Sequence, residues 1–433
     1  MSAPLTPAFL LAAVSLACFA LVGCQSDRDA IPPDGSMSDA PLHAGAGRDG
    51  LQGWNILSGE YAQPGDLDGI SFEWDYFMVH AGDGSFTGSI GYLLANPRDA
   101  GGLGDLLPKG GNAAIAGLFR DGTRIAEYRN FGVDGTTASG TERAFHARDD
   151  ASGQYARMTP RRADSAEDDD TLKLEGRTAS FSWDLVVVQD WPALSSRDDI
   201  FAPVHGDDVG SLFDNESWNV DMLWPRTLVQ GKVTRLDTGE QIAVDGHGYR
   251  ENSWGRWAFN LGGWDFAVVS DKSAGVSWAW QSYHHRSTQL DFLDLGFVED
   301  GAVRLEQFRA ARGELGWSHA SWTFDPHARL CVPLTTRVEA QNDRYRVEAD
   351  LKLHDRQVPM LSEATSATKQ YVIMIQFPMV EGRIIRLHDG VTVAAFRGQG
   401  GGEFSNAWSQ AVSMTDAECG EWGKAYSSPM PSP

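Results

Sequence analysis

The chain has 433 residues, with 36 Lys and Arg against 59 Asp and Glu, a formal net charge of −23. A surface this acidic repels phosphate backbones and anionic lipid headgroups, which argues against nucleic acid as a partner. The length suits two ordinary domains, each able to bury its own core without staples.

At the amino terminus an apolar stretch, Ala8 to Val22, is broken only by Ser15 and leads into Leu21-Val22-Gly23-Cys24. This reads as a signal peptide, 1–23, ending in a lipobox whose Cys24 is the site of lipidation. No Lys or Arg precedes the apolar run, so the usual positive n-region is missing. Residues 24–50 are polar and rich in Pro and Gly, as expected of a flexible tether. Gln25 after the Cys is similar to outer-membrane sorting signals, which implies a lipid-anchored protein of the bacterial cell envelope facing the periplasm. Beyond Cys24 no apolar stretch approaches the roughly 20 residues a spanning helix needs. Membrane contact is therefore expected through the anchor only.

Short alternating apolar runs follow, separated by Gly, Asp and Asn turns. They include Ile70-Phe72-Trp74-Tyr76 with Met78, Leu172-Leu174, Phe181-Trp183-Leu185-Val187, Val276-Trp278-Trp280, Tyr345-Val347-Ala349-Leu351-Leu353 and Tyr371-Ile373-Ile375-Phe377. Alternation means strands with one buried face, as in antiparallel sheets, barrels and sandwiches. An all-β chain of low helical content is expected. The stretches near Gly101–Gly111 and Arg161–Asp170 read as loops. A polar Gly/Asp stretch near Gly206–Glu216 places a domain boundary at about 220, giving domains over 51–220 and 221–425 and a tail over 426–433. Cys331 and Cys419 are the cysteines left in the globular part, available to pair in an oxidising compartment. The His residues are scattered or, at His284-His285, adjacent, so no metal site is expected. Gly400-Gly401-Gly402 before Glu403 lacks the Lys and the strand-to-helix context of a phosphate loop and reads as a tight β-turn.

The densest cluster of unusual residues spans Trp218 to Tyr283. In Gly246-His247-Gly248-Tyr249-Arg250-Glu251, strand alternation sends His247, Tyr249 and Glu251 to one face. If that wall faces an apolar cavity, desolvation raises the carboxyl's pKa and makes Glu251 a proton donor near neutrality. Aromatic residues at strand spacing serve a core equally well, and Arg250 or Arg256 could simply pair with Glu251.

Glu73-Trp74-Asp75-Tyr76-Phe77 is similar to the Glu-Trp-Trp-Tyr-Phe signature of the double-lipocalin superfamily of carotenoid 1,2-hydratases, AttH-like proteins, tocopherol-cyclase-like and kievitone-hydratase-like proteins and fungal pericyclases. Trp224-Pro225, Gly248-Tyr249-Arg250-Glu251-Asn252 with Trp254-Gly255, and Gly263-Trp264-Asp265-Phe266 follow in that family's order, so the resemblance covers about residues 70 to 405. It implies two lipocalin-like antiparallel β-barrel or sandwich domains packed together around an apolar ligand pocket. It also implies catalytic roles for Trp224, Tyr249 and Glu251, the last standing where the hydratases have Asp. Met222 stands where they have His.

The chemistry implied is acid catalysis without a cofactor. Glu251 protonates an alkene and the carbocation rests over an indole face, that of Trp224, Trp264 or Trp280, worth about 2 kcal/mol when desolvated. Trp264, Trp280, His247, Trp74 and Tyr76 are the candidate ligand-binding side chains. Two other readings stand beside this hydratase or cyclase of a hydrophobic, isoprenoid-like substrate. One is a non-catalytic lipocalin-like lipoprotein that carries a hydrophobic ligand. The other is a carbohydrate-active protein, which would need a second carboxylate facing Glu251 across an open groove.

Overall fold

Twenty-four strands, one short α-helix and one turn of 3-10 helix at Ala310–Arg312 are the regular elements of the described residues. A computed structural model describes residues 71–82, 86–95, 113–131, 135–138, 144–161, 171–192, 217–256, 262–285, 288–353, 357–361, 372–405, 413–424 and 427–428. These lie within one compact unit, Leu42–Pro433. The signal peptide, Cys24, the tether, the loops at 101–111 and 162–170, the 206–216 stretch and most of the tail fall outside the described residues.

The first sheet takes β1 (Ser71–Ala81), β2 (Thr87–Ala95), β3 (Ala113–Arg120), β4 (Thr123–Asn130), β5 (Thr136–Ala138), β6 (Phe145–Asp149), β7 (Gln154–Arg161), β8 (Thr171–Arg177), β9 (Phe181–Gln189), β10 (Ser217–Arg235) and β11 (Gln241–Arg256). Its order, β4-β3-β2-β1-β11-β10-β9-β8-β7-β6-β5, is an antiparallel meander closed by β11 returning to β1. The sheet curls into a half-barrel. Near its free edges, β4 and β5, Arg129 on β4 makes an ion pair with Asp149 at the end of β6, the strand next to β5. Tight turns suit these hairpins: Asp121 and Gly122 link β3 to β4 with φ of 49° and 78°, the left-handed pair that matches strand twist. Position 220 lies inside β10.

The remaining strands are β12 (Gly262–Asp271), β13 (Val276–His285), β14 (Thr288–Glu299), β15 (Ala302–Arg309), β16 (Leu315–Asp325), β17 (Leu330–Gln341), β18 (Tyr345–Lys352), β19 (Gln357–Leu361), β20 (Val372–Gln376), β21 (Met379–Arg386), β22 (Thr392–Gln399), β23 (Gly401–Ser405) and β24 (Ser427–Ser428). They form a second sheet, β15-β14-β13-β12-β23-β20-β19, and a third, β22-β21-β18-β17-β16-β24.

Three cores follow from these layers. Phe77, Val79, Leu174, Trp183, Leu185, Trp224 and Val244 fill the interior of the half-barrel. Tyr76, Met78, Tyr249, Trp264, Phe266, Tyr283 and Ile375 pack the outer face of β1 and β11 against the second sheet. Trp278, Trp280, Leu293, Trp317, Val347 and Phe396 join the second sheet to the third. The alternation read at Leu172-Leu174, Phe181-Val187 and Tyr345-Leu351 is observed as alternating burial. β1 breaks that pattern because both its faces are covered: every residue from Asp75 to Ala81 is buried.

A smaller cluster of Trp322, Leu330, Met374 and Phe404 is closed by helix α1 (Asp416–Gly423). Thr415 and Glu418 cap that helix reciprocally. A disulfide between Cys331 and Cys419 fastens it to β17.

Candidate active site between two sheets

Because β1 is covered on both sides, each of its polar residues must find a buried partner, and two separate networks result. The first lies inside the half-barrel. Arg250 donates twice to Asp75, each bond 2.8 Å, and both side chains are fully buried. The guanidinium stacks over Trp224 at 4.3 Å and faces Phe77 at 5.7 Å. Asn252 donates to Glu73 at 3.1 Å on the same face. Arg250 is therefore the partner of Asp75 and does not pair with Glu251.

The second network lies between the first and second sheets. Tyr249 donates its hydroxyl to Glu251 at 2.7 Å, and the Gln281 amide, from β13, donates to the same carboxylate oxygen at 2.8 Å. Tyr283 donates in turn to the Gln281 carbonyl, which orients the amide so that its N–H points at Glu251. Burial pushes the Glu251 carboxyl up to about 7; bonds from Tyr249, Gln281 and Trp74 moderate the rise, and the charge of Asp75 adds to it. Burial also raises the Tyr249 phenol well above its usual range, reinforced by Glu251, so it stays a donor.

A second carboxyl enters from the facing sheet. Glu403 on β23 accepts the Trp264 indole N–H at 2.9 Å. Burial pushes it up to about 7 as well, with Trp264 opposing and the charge of Glu251 adding. Tyr76 stands between the two carboxyls. It is the cross-strand neighbour of Glu251, and its ring meets Phe266 edge-on at 5.5 Å. Phe266 is in turn the cross-strand neighbour of Glu403. The Tyr76 hydroxyl lies beside Glu403 and Ser89 yet makes no hydrogen bond of good geometry. Trp74 and Trp264 face each other at 6.4 Å, and Phe292 stacks on Tyr283 at 5.9 Å.

The site thus combines two acids of near-neutral pKa with aromatic walls. It brings together Glu251, Tyr249, Trp264, Trp74 and Tyr76 among the residues singled out from sequence.

Three others are placed elsewhere. Trp224 is on the opposite face of the first sheet: β10 breaks register on either side of it, and it pairs with Arg250. Trp280 points away from the site because alternation in β13 sends Ala279, Gln281 and Tyr283 toward Glu251 and Trp278 and Trp280 into the third core, where Trp280 meets Trp317 at 5.3 Å. His247 shares the face of Glu251 but lies four positions away along the strand, roughly 13 Å at the usual rise. It bonds the Ser270 carbonyl and packs against His80 at 5.5 Å. His247 does not supply the imidazole missing at position 222. The side chains of Met222, His284 and His285 fall outside the described residues. Among the described residues no three His, Cys, Asp or Glu converge as a metal site would require.

Glu403 and Gln281 escaped the reading of the sequence. Gly400-Gly401-Gly402 is not the expected turn: Gly401–Ser405 forms a strand between β12 and β20. At Gly402 a β-carbon would lie 2.0 Å from the Phe266 carbonyl oxygen, and at Gly401 one would lie 1.4 Å from the Met78 methyl. The glycines let a strand pass closely between neighbours. The available signal was the alternation Gly401-Glu403-Ser405, which sets a carboxyl on a face otherwise apolar.

No protein-family profile and no curated protein matches the chain. Solved structures do. A structure of an AttH-like protein from Nitrosomonas europaea is 12% identical, covers 78% of this chain and 93% of that one, and superposes with a TM-score of 0.49. A structure of CghA with Sch210972 is 11% identical, covers 81% of this chain and 89% of that one, with a TM-score of 0.52. CghA by itself is 12% identical over 78% and 88% of the two chains, with a TM-score of 0.51. At these identities the likeness is one of fold, and the chain has the double lipocalin-like β-fold that its motifs implied.

Proposed function

We propose that this protein is an acid catalyst acting without a cofactor on a hydrophobic, isoprenoid-like substrate, as a hydratase or cyclase. The observation that carries this reading is Glu251: a carboxyl buried between two sheets, poised near neutrality, held by Tyr249 and Gln281 and walled by aromatic rings. A proton passed from Glu251 to an electron-rich alkene leaves a carbocation beside Trp74 and Trp264, whose indole faces take the role that Trp224, on the far side of the sheet, does not. Burial keeps stray nucleophiles away from that cation. One structure of this fold is of CghA with Sch210972, which supports a small-molecule site in such a scaffold.

The test is incubation of the purified protein with a membrane lipid extract, followed by mass spectrometry of retained ligand and new products, beside Glu251→Gln. A new product that falls by about 100-fold or more in the variant is expected, since proton transfer by a positioned side chain contributes about 10²–10⁴-fold. A ligand retained unchanged by both forms would instead identify a carrier, the reading that the displacement of Trp224 from Glu251 favours.

The proposal includes anchoring at the membrane through Cys24, which would place the site where an apolar substrate partitions. Cys24→Ser is expected to lose lipid labelling and move the protein to the soluble fraction. Retention of the label would overturn the lipobox reading.

A further inference from the structure

Acid catalysis by Glu251 uses one carboxyl, yet two are buried between the sheets. Glu251 comes from the first sheet and Glu403 from the second, and Tyr76 lies between them, a cross-strand neighbour of one and packed on the cross-strand neighbour of the other. Their donor sets differ. Glu251 receives a phenol and an amide N–H at 2.7 and 2.8 Å, whereas Glu403 receives the Trp264 N–H at 2.9 Å and has the unbonded Tyr76 hydroxyl beside it. Glu251 is 2% exposed and Glu403 5%, so neither faces bulk water.

We propose that Glu403 is the proton acceptor partnered with Glu251, and that together they move a double bond or close a ring in the substrate with no net addition of water. This rests on the acid-catalysis reading above and deepens it.

The steps balance within the site. The Glu251 O–H bond breaks as a C–H bond forms at one alkene carbon, and the electron pair of the alkene supplies that bond, leaving a cation at the other carbon. In a cyclisation a second alkene of the same substrate adds to this cation and passes the positive charge on. A C–H bond next to the final cation then breaks, its electrons form the new C=C bond, and Glu403 takes the proton. Nothing is oxidised or reduced, and substrate and product have the same mass. After product release, exchange with solvent removes the proton from Glu403 and supplies one to Glu251, which resets the pair. The titratable groups facing it are Tyr76 from β1, Tyr249 from β11 and Tyr283 from β13, with Asp75 and Asp294 acting at longer range. The three phenols are all raised by burial and remain neutral, so the pH dependence belongs to the two carboxyls.

The experiment incubates the full-length protein with a bacterial membrane lipid extract in heavy water, comparing wild type, Glu403→Gln, Glu403→Asp and Glu251→Gln. The product expected from wild type carries one deuterium on carbon and no added oxygen. Glu403→Gln is expected to lower its formation by about 100-fold or more and to remove the limb of the pH–rate profile that rises with pH. Glu403→Asp is expected to restore part of the rate and the limb. A structural role would instead lower the rate at every pH and leave the profile's shape. A product bearing added oxygen, or undiminished turnover in Glu403→Gln, would overturn the inference while leaving acid catalysis by Glu251 standing. No product from wild type would remove the acid-catalysis reading itself. Should Glu403→Gln fail to fold, Glu403→Asp decides the matter: a rising limb kept but displaced along the pH axis supports the inference, and a profile of unchanged shape and position overturns it.

Discussion

Arg250→Met is expected to destabilise the protein by about 3–5 kcal/mol, the usual consequence of removing one partner of a buried ion pair. Asp75 would be left fully buried without its two guanidinium bonds, and Trp224 would lose the cation stacked on its ring. The mirror change, Asp75→Leu, strands the Arg250 cation in the same apolar surroundings and is expected to cost a similar amount. Combined in one chain, the two changes should recover much of the loss, because apolar residues of similar volume replace buried pairs at little cost. Denaturant unfolding of the two single variants and the double variant measures this directly. A double variant no better than the sum of its parts would mean that the pair matters chiefly through packing against Trp224 and Phe77.

The carboxyls of the site have the opposite relation to stability. Glu251 and Glu403 titrate at about 7 in the fold against a reference of 4.5. A raised carboxyl favours the fold fully below its unfolded pKa, and that contribution is lost as pH rises through 7. For each group this amounts to about 3 kcal/mol, as an order of magnitude. His80 and His247 act with opposite sign. Burial lowers His80 from 6.5 to about 3, and burial also lowers His247. Their contribution is present above pH 6.5 and lost as pH falls, so in wild type the two ramps offset one another between pH 4.5 and 6.5.

The double variant Glu251→Gln/Glu403→Gln removes the carboxyl ramp and leaves the histidine one. Relative to wild type it is expected to gain several kcal/mol between pH 4.5 and 8 while losing turnover. Unfolding curves measured across that range test the sign. Parallel pH dependences in the two proteins would show that the carboxyls are not held near neutrality by burial.

The strands were legible wherever one face met solvent. Leu172-Leu174 and Tyr345-Leu351 alternate in sequence and in burial alike. The wall of Tyr249 and Glu251 was legible for the same reason, since period-two geometry ties i to i+2 whatever the tertiary context. Trp224 was not, because two register shifts in β10 cancel simple counting along that strand. Trp280 was misplaced because β13 is covered on both sides, so burial alone could not say which face meets Glu251. Glu403 was hidden by glycines whose usual meaning is a turn and whose meaning here is close passage of backbones. Residues brought together by sheet-to-sheet packing leave no periodic trace in the chain.

The closure of the first sheet by β11 against β1 has a temporal side. Asp75 and Arg250 are 175 positions apart in sequence, and Glu403 comes later still. A chain synthesised from its amino terminus therefore presents β1 with its β11 edge unpaired until Gln241–Arg256 has been made, and neither polar network can form before then. Non-local pairing of this kind folds slowly. Until then the open edge of β1 can pair with another chain, so the segment bearing half of the site is also a place where aggregation can start during synthesis.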